Sequence, residues 1–223
     1  MSMQTLRRPD GGSTPAYAAG PVHDAGAPGL VLIQEWWGLN EQIKATADRL
    51  AAQGLRVLVP DLYRGKLAAS GEEANHLMSG LDFVDACDQD LAAAVAALGQ
   101  GGAKVGVMGF CMGGALTVAA AARLSGLSAA VCFYGVPPKQ LADPAQIAIP
   151  FQGHFATLDD WCTPAVAAQL ETDMKAAGRL PDIHHYAAQH AFFNASRPEV
   201  FDAGCADLAW QRLLAFLHRH LEF

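Results

Sequence analysis

A run of 18 residues without a charged side chain, from Val105 to Ala122, constrains the fold of this chain more than any other feature. An apolar run of this length is long enough to be considered as a membrane helix. It contains four glycines, however, between a β-like stretch and an alanine-rich one, at Gly106, Gly109, Gly113 and Gly114. Glycines in such a position are typical of a sharp turn. The run therefore predicts a strand, a tight turn and a buried helix.

The composition indicates a compact protein that acts on small molecules. The chain has 223 residues, of which 52% are hydrophobic and 17% charged, so intrinsic disorder is excluded. Its net charge is −7 and it has no Lys/Arg cluster, which argues against nucleic acid or an anionic membrane as a partner. The N-terminal residues 1–20 lack the apolar segment of a secretory signal. We expect one domain, residues 1–223, in the cytoplasm, as a monomer, with a homodimer as the alternative.

Buried strands alternate with helices along the chain. The five cysteines are far apart and form no C-x-x-C pair, so neither a disulfide framework nor a metal site is expected. Strands are predicted at 29–34, 56–59, 104–110, 129–134, 147–153 and 183–186. Helices are predicted after Asn40, at 86–98, at 113–123, after Thr163-Pro164 and around Trp210. This alternation predicts an α/β fold with a mainly parallel central sheet and helices on both faces.

Two further regions complete this outline. The polar stretch from Arg64 to Asp82 is predicted to be a surface excursion or a cap over the site. Nucleotide-binding signatures of the G-x-G-x-x-G and P-loop kinds do not occur in the sequence, so no nucleotide cofactor is expected, nor any other.

The uncharged run includes a nucleophile-elbow pattern, G-x-Nu-x-G, with cysteine as the nucleophile: Gly109-Phe-Cys-Met-Gly113. The turn would lift Cys111 out of the sheet and place it at a helix N-terminus, whose partial positive charge favours a thiolate. The backbone N–H of Met112 would be free to donate to an oxyanion. The alternative is a buried structural cysteine on a glycine-rich turn.

Catalytic partners for Cys111 follow it in the order nucleophile, acid, histidine. Asp159-Asp160 and His190 each come after a predicted strand. His190 would take the thiol proton or hold it in an ion pair, and the carboxylate would fix the imidazole tautomer. The alternative is that His190 is a loop histidine bonded only to the backbone.

Four segments together resemble the dienelactone hydrolase family of the α/β-hydrolase superfamily. They are Gln34-Glu-Trp-Trp-Gly-Leu39, Gly109-Phe-Cys-Met-Gly-Gly114, Asp160-Trp-Cys-Thr-Pro164 and His190-Ala-Phe-Phe193. The resemblance implies an α/β-hydrolase fold. In the family the acid precedes a proline by four positions, which selects Asp160 over Asp159.

The resemblance also implies roles for residues of the early loop. A glutamate at the position of Glu35 approaches the resting thiol in the family and helps keep it inactive until substrate binds. The backbone N–H of Trp36 would then be the second oxyanion donor, beside that of Met112. We predict Trp37, Tyr134 and Phe192 as walls of the substrate pocket.

The sequence departs from the family where substrate is held. Family members bind the carboxylate of dienelactone through arginines, one of them four residues after the catalytic histidine, where this chain has Asn194. Arg64 and Arg197 are possible substitutes. We therefore expect a carboxymethylenebutenolidase-like, cysteine-dependent hydrolase of small esters or lactones that works through an acyl-enzyme, with dienelactone itself not favoured. The alternative is a non-hydrolytic protein that binds a ligand or senses oxidants through Cys111.

Overall fold

The computed structural model describes residues 1–21 and 24–223, and within them eight strands form one sheet. The strands are β1 (Ser2–Arg7), β2 (Ser13–Ala19), β3 (Gly29–Ile33), β4 (Arg56–Pro60), β5 (Val105–Phe110), β6 (Ala129–Phe133), β7 (Phe151–Leu158) and β8 (Asp182–Gln189). Their order across the sheet is β1-β2-β4-β3-β5-β6-β7-β8. The strands from β3 to β8 pair in parallel, and β1 and β2 pair antiparallel.

Helices cover both faces of this sheet, as predicted. They are α1 (Glu41–Ala51), α2 (Gly71–Ser79), α3 (Phe83–Asp85), α4 (Ala92–Leu98), α5 (Met112–Arg123), α6 (Pro164–Ala176) and α7 (Ala203–Leu221), with a π-helical segment at Ala86–Leu91 between α3 and α4. Side chains of α1 and α7 pack on one face, and those of α4, α5 and α6 pack on the other. The predicted α/β fold is confirmed.

The capping residues explain where two helices begin. Asn40 accepts a hydrogen bond from the Ile43 N–H at 3.1 Å and starts α1. Thr163 accepts from the Val166 N–H at 3.4 Å and starts α6, with Pro164 in the first helical position.

Two parts of the sheet differ from the sequence prediction. The antiparallel hairpin of β1 and β2 was not predicted, because β1 is an exposed edge strand without an apolar run. The strand predicted at 147–153 is observed as β7, Phe151–Leu158. It begins after Pro150, and its buried run continues to Ala156. A proline has no N–H for the ladder, so it commonly marks the start of a strand.

The uncharged run from Val105 to Ala122 has the predicted structure of a strand, a turn and a helix. It contains β5, the turn at Cys111 and most of α5. All six residues of β5 and nine of the twelve in α5 are buried, which explains why the run carries no charge. In the described part of the chain, no helix combines the length and apolarity needed to cross a bilayer.

The stretch from Arg64 to Asp82 contains α2, so it is partly helical. Its helix begins at Ser70, whose hydroxyl accepts from the Glu73 N–H at 3.2 Å. Arg64 forms two hydrogen bonds of 2.8 Å with the carboxylate of the buried Asp90. Arg64 therefore forms a structural ion pair with Asp90. It does not line the clefts around Cys111.

Candidate active site

The turn between β5 and α5 holds Cys111 in a strained backbone conformation. Its φ is 56° and its ψ is −116°, which is unusual for a residue with a Cβ atom. The flanking glycines make room for this turn, because a Cβ on Gly113 would lie 2.5 Å from the carbonyl oxygen of Gln34. One on Gly109 would collide with the carbonyl of Gly113. The turn therefore has the geometry predicted for a nucleophile elbow, with Cys111 as its partly exposed residue.

His190 follows β8 and is bonded to Asp159, not to Asp160. Its Nδ1 lies 2.7 Å from Oδ2 of Asp159. The other oxygen, Oδ1, accepts hydrogen bonds from the N–H groups of Trp161 at 2.8 Å and Cys162 at 2.9 Å. These bonds hold the Asp159 side chain, which is buried, against the turn that follows β7.

The prediction of Asp160 as the partner of His190 is wrong. Asp160 is exposed and lines the same cleft as His190, but Nδ1 of His190 is bonded to Asp159. The four-residue spacing to Pro164, which selected Asp160, does not determine which of the two aspartates accepts hydrogen bonds from the N–H groups of the turn. The inward-facing role of Asp159 has a local signal in the sequence, since aspartate side chains commonly accept from backbone N–H groups two and three residues ahead.

The second ring nitrogen of His190 is available at the site. Among the hydrogen bonds of the described residues, Nε2 of His190 has no partner, although it is buried. The imidazole packs edge-on against the ring of Tyr134, with 5.1 Å between ring centroids. His190 lines the same clefts as Cys111. The bond from Nδ1 to Asp159 leaves Nε2 as the nitrogen that can exchange a proton with a group in the cleft.

Glu35 is the second residue after β3, and it is buried in the wall of a cleft that Cys111 also lines. It accepts hydrogen bonds from the amide of Asn194 at 2.7 Å and from the hydroxyl of Tyr134 at 3.2 Å. Burial raises the pKa of Glu35, while the hydrogen bond from Asn194 and the nearby His190 act in the opposite sense. Asn194 thus occupies the expected position of a substrate arginine and instead binds Glu35.

The surroundings of Cys111 favour the thiol over the thiolate. Burial raises the pKa of Cys111 far above its ordinary value, and the carboxylate of Glu35 raises it further. The N–H of Met112 lowers the pKa, but by less than these two effects raise it. The helix N-terminus therefore favours a thiolate, as expected, but desolvation and the neighbouring carboxylate of Glu35 outweigh it in the resting site.

Of the residues predicted as oxyanion donors and pocket walls, some line clefts at Cys111 and others do not. Trp36 borders one cleft at Cys111 and Met112 borders another. Tyr134 is buried and reaches the larger of these clefts. Phe192 lies in the core, 5.5 Å from the Tyr134 ring centroid, and Trp37 packs against Trp36 at 5.2 Å. Neither Phe192 nor Trp37 lines a cleft at Cys111, so these two predictions of pocket walls are wrong.

Two clefts meet at Cys111 and His190. We call the smaller one, of about 220 Å³, the polar lobe; its walls include Glu35, Trp36, Asp160 and Arg197. We call the larger one, of about 600 Å³, the apolar lobe; its walls include Met78, Phe83, Val136, Leu141 and Val166. Trp161 borders both lobes and lies 5.5 Å from the Trp36 ring centroid.

Arg197 brings a positive charge to the polar lobe. Its guanidinium lies 5.6 Å from the ring centroid of Trp37 and donates to Glu199 at 2.8 Å. Sequence reasoning named Arg197 only as a possible substitute and missed the apolar lobe and Trp161. Within residues 1–21 and 24–223, no group of three or more His, Cys, Asp or Glu side chains could hold a metal ion.

The parallel sheet, the strained elbow and the carboxylate-bonded histidine together define an α/β-hydrolase. The model of the dienelactone hydrolase family matches residues 14–221. The chain therefore belongs to the dienelactone hydrolase family, and it is a hydrolase that acts on ester bonds.

Similar proteins and structures agree with this assignment. Protein usf of Aquifex pyrophilus is 32% identical over 88% of this chain and 90% of its own. The carboxymethylenebutenolidase of Pseudomonas putida is 32% identical over 93% of this chain and 92% of its own. A crystal structure of a dienelactone hydrolase-like promiscuous phosphotriesterase from metagenomic libraries has a TM-score of 0.85 at 21% identity, covering 98% of both chains. That last likeness supports the fold.

Proposed function

We propose that this protein hydrolyses small esters or lactones through Cys111, His190 and Asp159. The observation that carries the proposal is the 2.7 Å contact between Asp159 and Nδ1 of His190, which leaves Nε2 of His190 free in the clefts that Cys111 lines. Asp159 replaces Asp160 in the assignment made from the sequence. A histidine oriented by a carboxylate beside a thiol is the arrangement required for nucleophilic catalysis by cysteine.

In the acylation step, His190 acts first as a general base and then as a general acid. Nε2 of His190 takes the thiol proton as the sulfur of Cys111 attacks the substrate carbonyl. The carbonyl oxygen becomes an oxyanion, which accepts hydrogen bonds from the N–H groups of Met112 and Trp36. His190 then gives its proton to the leaving oxygen, the carbon–oxygen bond breaks, and an alcohol leaves behind a thioester on Cys111.

Deacylation returns the enzyme to its resting state. His190 takes a proton from a water molecule, whose oxygen attacks the thioester carbonyl. The carbon–sulfur bond breaks, the thiolate is reprotonated by His190, and a carboxylic acid is released. With a lactone substrate the alcohol and the acid are the two ends of one product. Asp159 orients the imidazole throughout and stabilises it while it carries the extra proton.

Glu35 keeps the resting thiol protonated in this proposal. Its carboxylate is buried and raises the pKa of Cys111, so a thiolate forms only when substrate and His190 are both in position. A protonated resting thiol reacts slowly with oxidants and other electrophiles. The alternative of an oxidant sensor on the same fold is accordingly not favoured.

The substrate class follows from the relatives and from one departure. The Pseudomonas putida relative is named a carboxymethylenebutenolidase, which supports an ester or lactone for this chain as well. The position of the expected second arginine is held by Asn194, whose amide is bound to Glu35. This supports a neutral ester or lactone over dienelactone itself.

An activated aryl ester tests the proposal. We expect the purified protein to hydrolyse p-nitrophenyl acetate, and to lose this activity in proportion to the alkylation of Cys111 by excess iodoacetamide. Cys205→Ala is the matched control, because Cys205 is also partly exposed but lines neither lobe. Full turnover by Cys111→Ala, or labelling of another cysteine as the cause of inactivation, would exclude the proposal.

A further inference from the structure

The two lobes of the site differ in charge as well as in size. The described residues that line the apolar lobe include no Asp, Glu, Lys or Arg. The polar lobe, by contrast, is bordered by three charged side chains, those of Glu35, Asp160 and Arg197. The two sides of the reacting carbonyl therefore meet different environments.

The walls of the apolar lobe come from separate parts of the chain. Met78 comes from α2 and Phe83 from α3, Val136 and Leu141 follow β6, and Val166 lies in the first turn of α6. Two loop prolines, Pro137 and Pro138, stiffen the segment after β6. The lobe is therefore a cleft between α2 and α3 on one side and the loops at the carboxyl edge of the sheet on the other.

Its chemistry decides what the apolar lobe can bind. A charged group placed there would lose its hydration without gaining an opposite charge, which is unfavourable. A hydrocarbon group would transfer from water to a wall of aliphatic and aromatic side chains, which is favourable in proportion to the area buried. The lobe therefore selects the hydrophobic part of a substrate.

Volume sets the size of that part. A cleft of about 600 Å³ falls within the range of about 300–1,000 Å³ that holds whole drug-sized ligands, so a methyl group would leave it nearly empty. The polar lobe has about 220 Å³ and carries the charges, so it accommodates a smaller and more polar group. Trp161 stands between the lobes and is 61% exposed, which makes it the border that both halves of a substrate contact.

We infer that the substrates are asymmetric esters or lactones with one bulky hydrophobic half, a medium alkyl chain or an aromatic ring, in the apolar lobe and a small polar half in the polar lobe. This inference rests on the proposed function, since it places the reacting carbonyl at Cys111. Such substrates differ from a small, charged lactone, which has no bulky hydrophobic half.

Two series of simple esters test the inference. One lengthens the acyl half, from methyl acetate to methyl octanoate, and the other lengthens the alcohol half, from methyl acetate to octyl acetate. Hydrolysis is followed by proton release at constant pH. In one series only, kcat/KM is expected to rise about threefold for each methylene group that enters the lobe, which is about thirtyfold for every three methylene groups.

Filling the apolar lobe should remove this gain. Val136→Trp and Val166→Trp are each expected to reduce the ratio of kcat/KM for the octyl or octanoyl ester to that for methyl acetate by fivefold or more. Val166 is partly exposed, so its variant keeps the test usable if Val136→Trp does not fold. Leu180→Trp is the matched control, because Leu180 is 93% exposed and lines neither lobe.

Each outcome bears on one claim. A rise in neither series or in both series, or a rise that survives both lobe variants, would overturn the inference while hydrolysis of methyl acetate left the proposed function standing. Failure to hydrolyse any ester of either series, together with failure on p-nitrophenyl acetate, would instead overturn the proposed function.

Discussion

The side-chain amide of Asn194 donates a 2.7 Å hydrogen bond to the buried carboxylate of Glu35, two residues that are 159 positions apart in the chain. Asn194 is itself held by the hydroxyl and the N–H of Ser196, which both donate to its Oδ1. This relationship ties the loop after β8 to the segment after β3. It also stabilises the charged form of a carboxylate in a site where burial opposes the charge.

Removing the amide should therefore destabilise the fold. We expect Asn194→Ala to reduce the free energy of unfolding by about 1–3 kcal/mol, because a buried carboxylate then loses its shortest hydrogen bond. Ser196→Ala, which leaves the bond to Glu35 in place, should reduce it by less. Urea denaturation of the three proteins measures both changes, and equal losses for the two variants would contradict this role of Asn194.

Glu35 should make the stability depend on pH. Its pKa in the folded chain is raised above its ordinary value of 4.5, so the folded chain binds this proton more tightly than the unfolded chain. The stability contributed by protonated Glu35 is complete below about pH 4.5 and is lost as the pH rises through the raised pKa. Glu35→Gln has no such proton.

The measurement compares the unfolding free energies of Glu35→Gln and the wild type between about pH 4 and pH 8. The difference, variant minus wild type, should increase with pH. Glu41→Gln serves as the control, since the side chain of Glu41 is 90% exposed. A constant or falling difference for Glu35→Gln would show that Glu35 does not carry a raised pKa.

The same substitution should make Cys111 more reactive. The Glu35 carboxylate raises the pKa of the thiol, so Glu35→Gln is expected to shift the pH dependence of alkylation by iodoacetamide to lower pH. The rate of labelling at Cys111, followed by mass spectrometry across a pH series, measures the shift. An unchanged profile, or a shift to higher pH, would mean that the carboxylate does not act on the thiol.

The elbow glycine Gly113 should not tolerate a side chain. A Cβ there would meet the backbone carbonyls of Ile33 and Gln34, which cannot move as a flexible side chain does. We expect Gly113→Ala to cost about 1–3 kcal/mol of stability through overpacking. Gly71→Ala should change stability by less than about 1 kcal/mol, because a Cβ on Gly71 meets nothing within 4 Å. Thermal unfolding compares the two, and equal costs would refute the steric explanation.

Comparing the kcat values of Asp159→Asn and Asp160→Asn tests which carboxylate orients His190. Asp159→Asn is expected to lower kcat by about 10³- to 10⁴-fold, as the amide would favour the wrong imidazole tautomer. Asp160→Asn removes the adjacent exposed carboxylate and should lower kcat by much less, about tenfold at most. Steady-state kinetics on p-nitrophenyl acetate settles the order, and a larger loss for Asp160→Asn would assign the role to Asp160.

Much of the sheet and the elbow could be predicted from the sequence because local patterns determine them. The apolar runs of β3, β4, β5 and β6 are buried on both faces, and the glycines around Cys111 allow only a tight turn. The hairpin of β1 and β2 could not be predicted, since an exposed edge strand lacks such a pattern.

The parts of the site that were missed depend on one local turn and on contacts between distant segments. The choice between Asp159 and Asp160 is made by two backbone N–H groups of the turn, not by the spacing to Pro164. The binding of Asn194 to Glu35 and the raised pKa of Cys111 both depend on burial. Neither is visible in a single segment of sequence.

The central claim, that Cys111 is the nucleophile, is tested most directly by trapping the acyl-enzyme. Wild-type protein is mixed with excess p-nitrophenyl acetate, quenched in acid during turnover, digested and measured by mass spectrometry. The account predicts an acetyl group on the peptide that contains Cys111, and none on that peptide from Cys111→Ala. An acetyl group on any other residue during turnover, with Cys111 unmodified, would contradict it.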